Sequence, residues 1–328
     1  MAAGRGRIAA TMAMLAIVTA GCAHADRRPE GDAPLAIYGS TATLEIAPVL
    51  LAARDHSPPG TTVRNGGIAN LFGAAAPGIS EGGLADVATH AETQALRYSV
   101  AHPDLRIILT VTEGRYRIVA RRSAGIAGLA DLKGKRIATL ATTSAGYFLA
   151  RMLAQAGLRF ADVTAVRISP IEGMAEALAR REVDAVAIWE PHASNAARAL
   201  GDDRVEFAGD GVYRELFNLN TTAGNLADPG KRRRIVRFVR AVLAASEATR
   251  SDGAPARALV AATAGFSAEE TAAAWPTLGF TAALPADLLD VLVEEEQWLA
   301  AQDRRAPRSR EQLSRLIDTS VYDEARTR

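Results

Sequence analysis

The heptapeptide TTSAGYF, Thr142 to Phe148, sits where an apolar strand candidate, RIATLA, hands over to an amphipathic run, SAGYFLARMLAQAGL. Three hydroxyl residues followed by two small ones suit one kind of chemistry. The first N–H groups of a helix have no partner inside it, and the dipole leaves that end partially positive. Small side chains at Ser144, Ala145 and Gly146 let an anion approach those N–H groups. Ordinary capping requires only one hydroxyl, so the cluster points to ligand contact beyond capping.

Patterns for covalent chemistry are weaker. GISEG, Gly78 to Gly82, matches the spacing of a nucleophile elbow, which needs a strand before it and a helix after it. Here GAAAP precedes and a strand candidate follows, so Ser80 reads as a loop residue. In GLADLKGKR five residues separate Gly128 from Gly134 where a phosphate-binding loop has four, and Arg136 replaces the required Ser or Thr. The five His residues are scattered, with no H-E-x-x-H pattern. Cys22 is the single cysteine and belongs to the N-terminal leader, which leaves no thiol for a nucleophile, a disulfide or a metal site in the folded part. The expectation is a binding protein and not an enzyme, with no cofactor and no metal.

The whole chain sets the frame for these residues. Its 328 residues, 48% hydrophobic and 23% charged, are enough for two lobes with their own cores. Lys and Arg number 38 against 37 Asp and Glu, a net charge of +1, so no basic field is available for nucleic acid. At the N-terminus Arg5 and Arg7 precede the apolar stretch IAATMAMLAIV and the small residues TAGCAHA, the pattern of an export signal over residues 1–25. The stretch is too short to span a bilayer, which takes roughly 20 apolar residues. Two processing routes stay open. TAGC resembles a lipobox, with Thr19 in place of the usual Leu, and would make Cys22 the lipidated N-terminus; AHA, ending at Ala25, suits ordinary cleavage. Residues 26–33 are polar and aperiodic, a linker.

From residue 34 the chain alternates strand and helix patterns. LAIYGS leads into TATLEIAPVLLAAR, with Thr41 or Thr43 as cap, and ADVAT leads to a helix start marked by His90 and Glu92. LRIILTVT and RYRIVARR read as strands. LADLKGKRIATL, VTAVRIS and VDAVAIWE alternate with two amphipathic helices in βαβαβ order, which argues for a parallel sheet covered by helices. Beyond about residue 225 the chain turns helical, with Asp228 as a cap and Pro229 in the first turn. The arginines of KRRRIVRFVR fall opposite the apolar stripe and read as a solvated helix face. Ligands of open α/β sheets bind beyond the carboxyl ends of strands. By that rule GSTAT, ATHAET, TTSAG and IWEPHAS face one crevice.

The order of these segments, with DLKGK at a strand entry, the hydroxyl-rich helix start and a VDA strand ending in an aromatic–acidic–Pro tip, resembles the solute-binding proteins of ABC importers for nitrate, aliphatic sulfonates and taurine. The resemblance covers roughly residues 34 to 245. It implies an α/β, two-lobed periplasmic-binding-protein type II fold with mixed, mainly parallel sheets and a ligand cleft between the lobes. Lobe one would be about 34–118 plus 220–328 and lobe two about 119–219, closing on a solute offered to a permease and its ATPase. It further implies a monomer in the periplasm or at the cell surface, held to the membrane if Cys22 is lipidated. Carried over position by position, the contacts would be Thr41, Ala42, Thr43, Thr89 and His90 from lobe one, and Thr143, Ser144, Ala145, Trp189 and Glu190 from lobe two. Hydroxyls and N–H groups would hold an oxyanion, Trp189 would cover apolar parts, and Glu190 would accept from an amine or other donor, which favours an organosulfonate or zwitterion over bare nitrate, unless Glu190 only faces a neighbouring N–H at the hinge. Binders of thiamine pyrimidine precursors and non-transport sensors share the fold and remain alternatives.

Overall fold

The computed structural model describes Met1 and residues 34–74 and 82–327. The expected signal peptide, Cys22, the linker and Ser80 lie outside the described residues. The chain divides into two compact units, Met1–Ala33 and Pro34–Arg328, and every element named below belongs to the second.

Two sheets organise this unit. The first contains β1 (Ile37–Gly39), β2 (Val63–Asn65), β3 (Val87–Ala91), β4 (Leu105–Gly114), β10 (Glu215–Thr222) and β11 (Leu278–Gly279), in the order β11-β4-β10-β3-β1-β2. The second contains β5 (Arg117–Arg121), β6 (Arg136–Ala138), β7 (Thr164–Val166), β8 (Ala185–Ile188) and β9 (Arg204–Ala208), in the order β7-β6-β8-β5-β9. The chain passes to the second sheet between Gly114 and Arg117 and returns between Ala208 and Glu215. The expected lobe boundaries at 118/119 and 219/220 therefore fall inside β5 and β10.

Among the described residues four strand pairings are parallel and five antiparallel, so the sheets are mixed but not mainly parallel. The reason is the way the chain changes sheets. β1–β3 and β6–β8 are joined by helical crossovers and run parallel, whereas the strands flanking the passages, β4, β5, β9 and β10, pair antiparallel.

Helices cover both faces of the first sheet. Ala47–Asp55 and Pro229–Ser251 pack with Ile108, Val111 and Phe217 on one side, and Leu96, Leu292 and Leu299 pack with Tyr38, Leu105 and Ile107 on the other. A strand buried on both faces reads as a continuous apolar run, as LRIIL does. In the second lobe, Phe148, Leu149 and Met152 of helix Ser144–Gln155 close over Ile118, Ile137 and Val186. Each such side chain contributes roughly 1.5–3 kcal/mol on burial. Gly157, with φ +70°, turns the chain after that helix, as its sequence position predicts.

Candidate functional site

The carboxyl ends of the six parallel strands meet in one cleft. From the first lobe, β1 delivers Ser40 and Ala42, β2 delivers Asn65, Gly66 and Gly67, and β3 delivers His90. From the second, β6 leads to Leu140, β7 to Arg167 and Ile168, and β8 to Trp189. These residues border a cavity of about 420 Å³. A smaller one of about 70 Å³ adjoins it, sharing Ser40, His90 and Trp189 and adding Thr43, Glu45, Thr143, Ser144 and Glu215.

Local backbone demands explain several residue types here. A Cβ on Gly39 would meet Ile46 Cδ1 at 2.4 Å and Thr89 Oγ1 at 2.7 Å, so β1 can end against β3 only as glycine. Gly67 lies against His90, whose ring would stand 3.0 Å from an added Cβ. Gly146, in the TTSAGYF segment, is required for a different reason from anion approach. A Cβ there would fall 2.2 Å from the Ala141 carbonyl oxygen. The small residue lets the helix start fold back on the loop that precedes it.

The hydroxyls of that segment are engaged locally. Thr143 caps helix Ser144–Gln155, accepting from the Ala145 N–H at 3.3 Å while its Oγ1 donates to the Leu140 carbonyl at 2.8 Å. Ser144 is buried, with Oγ 3.0 Å from the Tyr116 hydroxyl. Gln94 Nε2 donates to the Thr142 carbonyl at 3.2 Å, a direct link from one lobe to the other.

Of the residues expected in the site, Ala42, Thr43, His90, Thr143, Ser144 and Trp189 line the cleft. Four are placed otherwise. Thr41 Oγ1 donates to Asn65 Oδ1 at 3.0 Å. Thr89 is fully buried in β3 and Ala145 in the second core. Glu190 is turned into the second lobe, with Oε1 2.9 Å from Arg117 Nη2 and Oε2 accepting from the Ser194 N–H at 2.9 Å. It holds the start of helix His192–Leu200 through a neighbouring N–H, the alternative to an amine contact that its position left open. Thr43 makes no side-chain cap; its Oγ1 donates to the Ser40 carbonyl at 2.9 Å. His90 belongs to β3, not to the helix after it.

Residues that sequence reasoning passed over stand in their place. Arg167 is exposed at the cleft wall, and among the described residues its guanidinium has neither an ion pair nor a hydrogen bond. Asn65, Gly66 and Gly67 were findable by the strand-end rule, since NGG follows the strand VRN. Glu45 and Glu215 carried no signal, one lying inside an apolar helix pattern and the other in a polar-looking segment.

The electrostatics of the cleft come mainly from burial. It pulls His90 down to about 4, so the imidazole is neutral at pH 7, with Nδ1 accepting from the Ala91 N–H at 3.0 Å. It pushes Glu45 up to about 7. Glu215 rises well above the usual carboxylate range through burial and the charges of Glu45 and Glu92. Among the described residues no group of His, Cys, Asp and Glu is arranged to hold a metal ion, and no helix is long and apolar enough to cross a membrane.

Comparison with known proteins places this architecture. A relative from Escherichia coli (strain K12), named for aliphatic sulfonate binding, is 36% identical over 156 residues, 46% of this chain and 46% of its own length. The chain thus spans about half the length of that relative. The crystal structure of the periplasmic aliphatic sulphonate binding protein SsuA from Escherichia coli superposes with a TM-score of 0.67 at 21% identity, over 87% of this chain and 92% of that one. The periplasmic nitrate-binding protein NrtA from Synechocystis PCC 6803 gives 0.66 at 13%, over 88% and 87%. The desulfurization enzyme DszB also shares the fold, at 0.58 and 16% identity over 89% and 99%. At these identities the likeness shows the fold alone, a two-lobed α/β architecture of the periplasmic-binding-protein type II kind. The model of the family described as NMT1/THI5 like matches residues 74–256, more than half of the chain, and the protein belongs to that family.

Proposed function

We propose that the protein is the extracytoplasmic solute-binding component of an ABC importer, capturing a small organic anion or zwitterion between its two lobes. One observation carries the reading. The cleft at six strand ends is lined from both lobes and carries at its wall a cation, Arg167, with no partner of its own among the described residues. A guanidinium suits a carboxylate, sulfonate or similar oxyanion, which it can grip at two points. Trp189, half-buried beside it, offers an apolar face for the rest of the solute. A ligand that touches both lobes favours the closed arrangement over the open one.

The binding-protein relatives support this role over an enzymatic one, and DszB supports only the shared fold. The role implies a permease and its ATPase as partners, and a place in the periplasm or at the cell surface. Attachment through a lipidated Cys22 belongs to the same proposal, and fractionation of a Cys22→Ser variant tests it. Thermal unfolding of the protein with alkanesulfonates, amino acids, carboxylates, nitrate and pyrimidines tests the binding role itself. A solute at about 100 times its Kd stabilises by roughly 2.7 kcal/mol, a shift of a few degrees for a chain of this size. A shift with pyrimidines alone would move the assignment to precursor binding, and no shift with any of these classes would overturn it.

A further inference from the structure

Two carboxyl groups at the floor of the cleft are unexplained by an anion site. Glu45 comes from the short helix after β1 and Glu215 from the first position of β10, yet the two converge on one point. A Cβ on Gly114 would lie 3.0 Å from Glu215 Oε2 and 3.5 Å from Glu45 Oε1, so the glycine makes room for both. Both residues line the smaller cavity. Glu45 is 2% exposed and Glu215 5%, and Oε2 of each has no hydrogen-bond partner among the described residues. The two carboxyls lie within reach of one another and Glu215 within reach of the Tyr116 hydroxyl, and the nearby charges are further carboxyls, Glu190 near Glu45 and Glu92 near Glu215. Two buried acids in such company are costly to ionise until a positive charge joins them.

We infer that Glu45 and Glu215 form a subsite for a positively charged amine on the solute, which makes an amine-bearing organic acid the favoured cargo. The inference rests on the solute-binding reading. Its dimensions fit. The cavity of about 70 Å³ exceeds the roughly 10–15 Å³ of probe space that one water needs, enough to admit an ammonium group. The adjoining cavity with Arg167 takes the acidic end, and the shared Ser40, His90 and Trp189 make the two continuous. Neutral His90 at their border does not oppose a cation. Seating the amine converts the protonated pair toward carboxylate. The released proton goes to bulk solvent, and the ammonium keeps its own.

The test is titration calorimetry of the full chain at pH 7 with two matched pairs, taurine against ethanesulfonate and β-alanine against propanoate, in buffers of different ionisation enthalpy. The expected result is at least tenfold tighter binding of an amine-bearing member, accompanied by proton release that its partner lacks. Glu215→Gln and Glu45→Gln should each reduce the preference to less than threefold, with the loss falling mainly on the amine-bearing member. Gly114→Ala, which keeps both acids but crowds them apart, should weaken the preference as well, and thermal melts show that each variant is folded. Equal affinity for the members of both pairs, or a preference that survives in both Gln variants, overturns the inference while leaving the solute-binding role intact. If no member of either pair binds, and the wider solute panel gives no shift, the solute-binding reading fails and this inference fails with it.

Discussion

Arg117 and Glu190 form an ion pair inside the second lobe, 2.9 Å between Nη2 and Oε1, with Glu190 2% exposed and Arg117 partly open to solvent. The pair fixes the strand tip that presents Trp189, because Glu190 also accepts from the Ser194 N–H at the start of the following helix. Glu190→Ala leaves a guanidinium whose remaining carboxylate partner among the described residues is Glu206, 3.0 Å away. Hydrogen bonds to charged groups are worth about 1.5–3 kcal/mol, so denaturant unfolding should show a loss of about 2 kcal/mol. Solute selectivity should not change. A variant that is as stable as the parent but has altered selectivity would return Glu190 to the cleft.

Gly146 governs how the hydroxyl-rich segment sits. Its missing Cβ leaves room for the Ala141 carbonyl, backbone that cannot rotate aside. Gly146→Ala should cost about 1–3 kcal/mol of stability, the usual range for overpacking. It should also weaken solute binding, because Thr143 and Ser144 move with the helix start. Unchanged affinity in the folded variant would show that neither residue positions the solute.

How far the site was legible depended on how each residue reaches it. Strand ends followed by polar or small residues were readable, and Ala42, Thr43, His90, Thr143, Ser144 and Trp189, all expected in one crevice, line the two adjoining cavities. The rule locates a tip but not the direction of each side chain, since successive residues of a strand point to opposite faces. Thr89 beside His90 went inward for that reason, whereas Glu190 lies beyond the end of β8 and turns in to meet Arg117 and the Ser194 N–H. β10 was missed altogether. ELFNLNTT looks like a polar loop, yet all eight residues are buried at the centre of the first sheet. Some of its polar side chains find partners there, as in the 2.7 Å bond from Thr110 Oγ1 to Asn218 Oδ1, while Asn218 Nδ2 and Asn220 Oδ1 have none among the described residues. Hydropathy cannot reveal a strand whose polar groups are buried between neighbouring strands, and with β10 went Glu215.

Buried titratable groups set opposite pH trends. Glu45, held up to about 7 from an ordinary 4.5, takes up a proton on folding, so its contribution is complete below pH 4.5 and is lost as pH rises to 7. His90, pulled down to about 4 from 6.5, gives up a proton on folding, and stability from this source rises with pH over 4 to 6.5. In the parent protein the two partly offset one another. Glu92, Glu190, Glu215 and Glu295, also raised by burial, add to the Glu45 trend, so relative to the parent Glu45→Gln should shift the change in stability between pH 4.5 and 6.5 toward a gain, and His90→Gln should shift it toward a loss. Urea midpoints at those two pH values separate the variants, and parallel profiles for all three proteins would contradict both assignments.

Arg167 offers the cleanest separation of binding from folding. Its side chain is exposed and, among the described residues, bonded to nothing, so Arg167→Ala should leave the unfolding midpoint within about 0.5 kcal/mol of the parent. Binding should respond strongly. Removing a charge-assisted contact of about 1.5–3 kcal/mol raises Kd by roughly tenfold to a hundredfold. Arg167→Lys keeps the charge but not the planar fork that grips an oxyanion at two points, and should fall between the two. If charge alone mattered, added salt would erase the difference between Arg and Lys. If the fork matters, the Lys variant stays weaker at every ionic strength. A full affinity in the Ala variant would place the acidic end of the solute elsewhere and leave the exposed guanidinium as an ordinary surface residue.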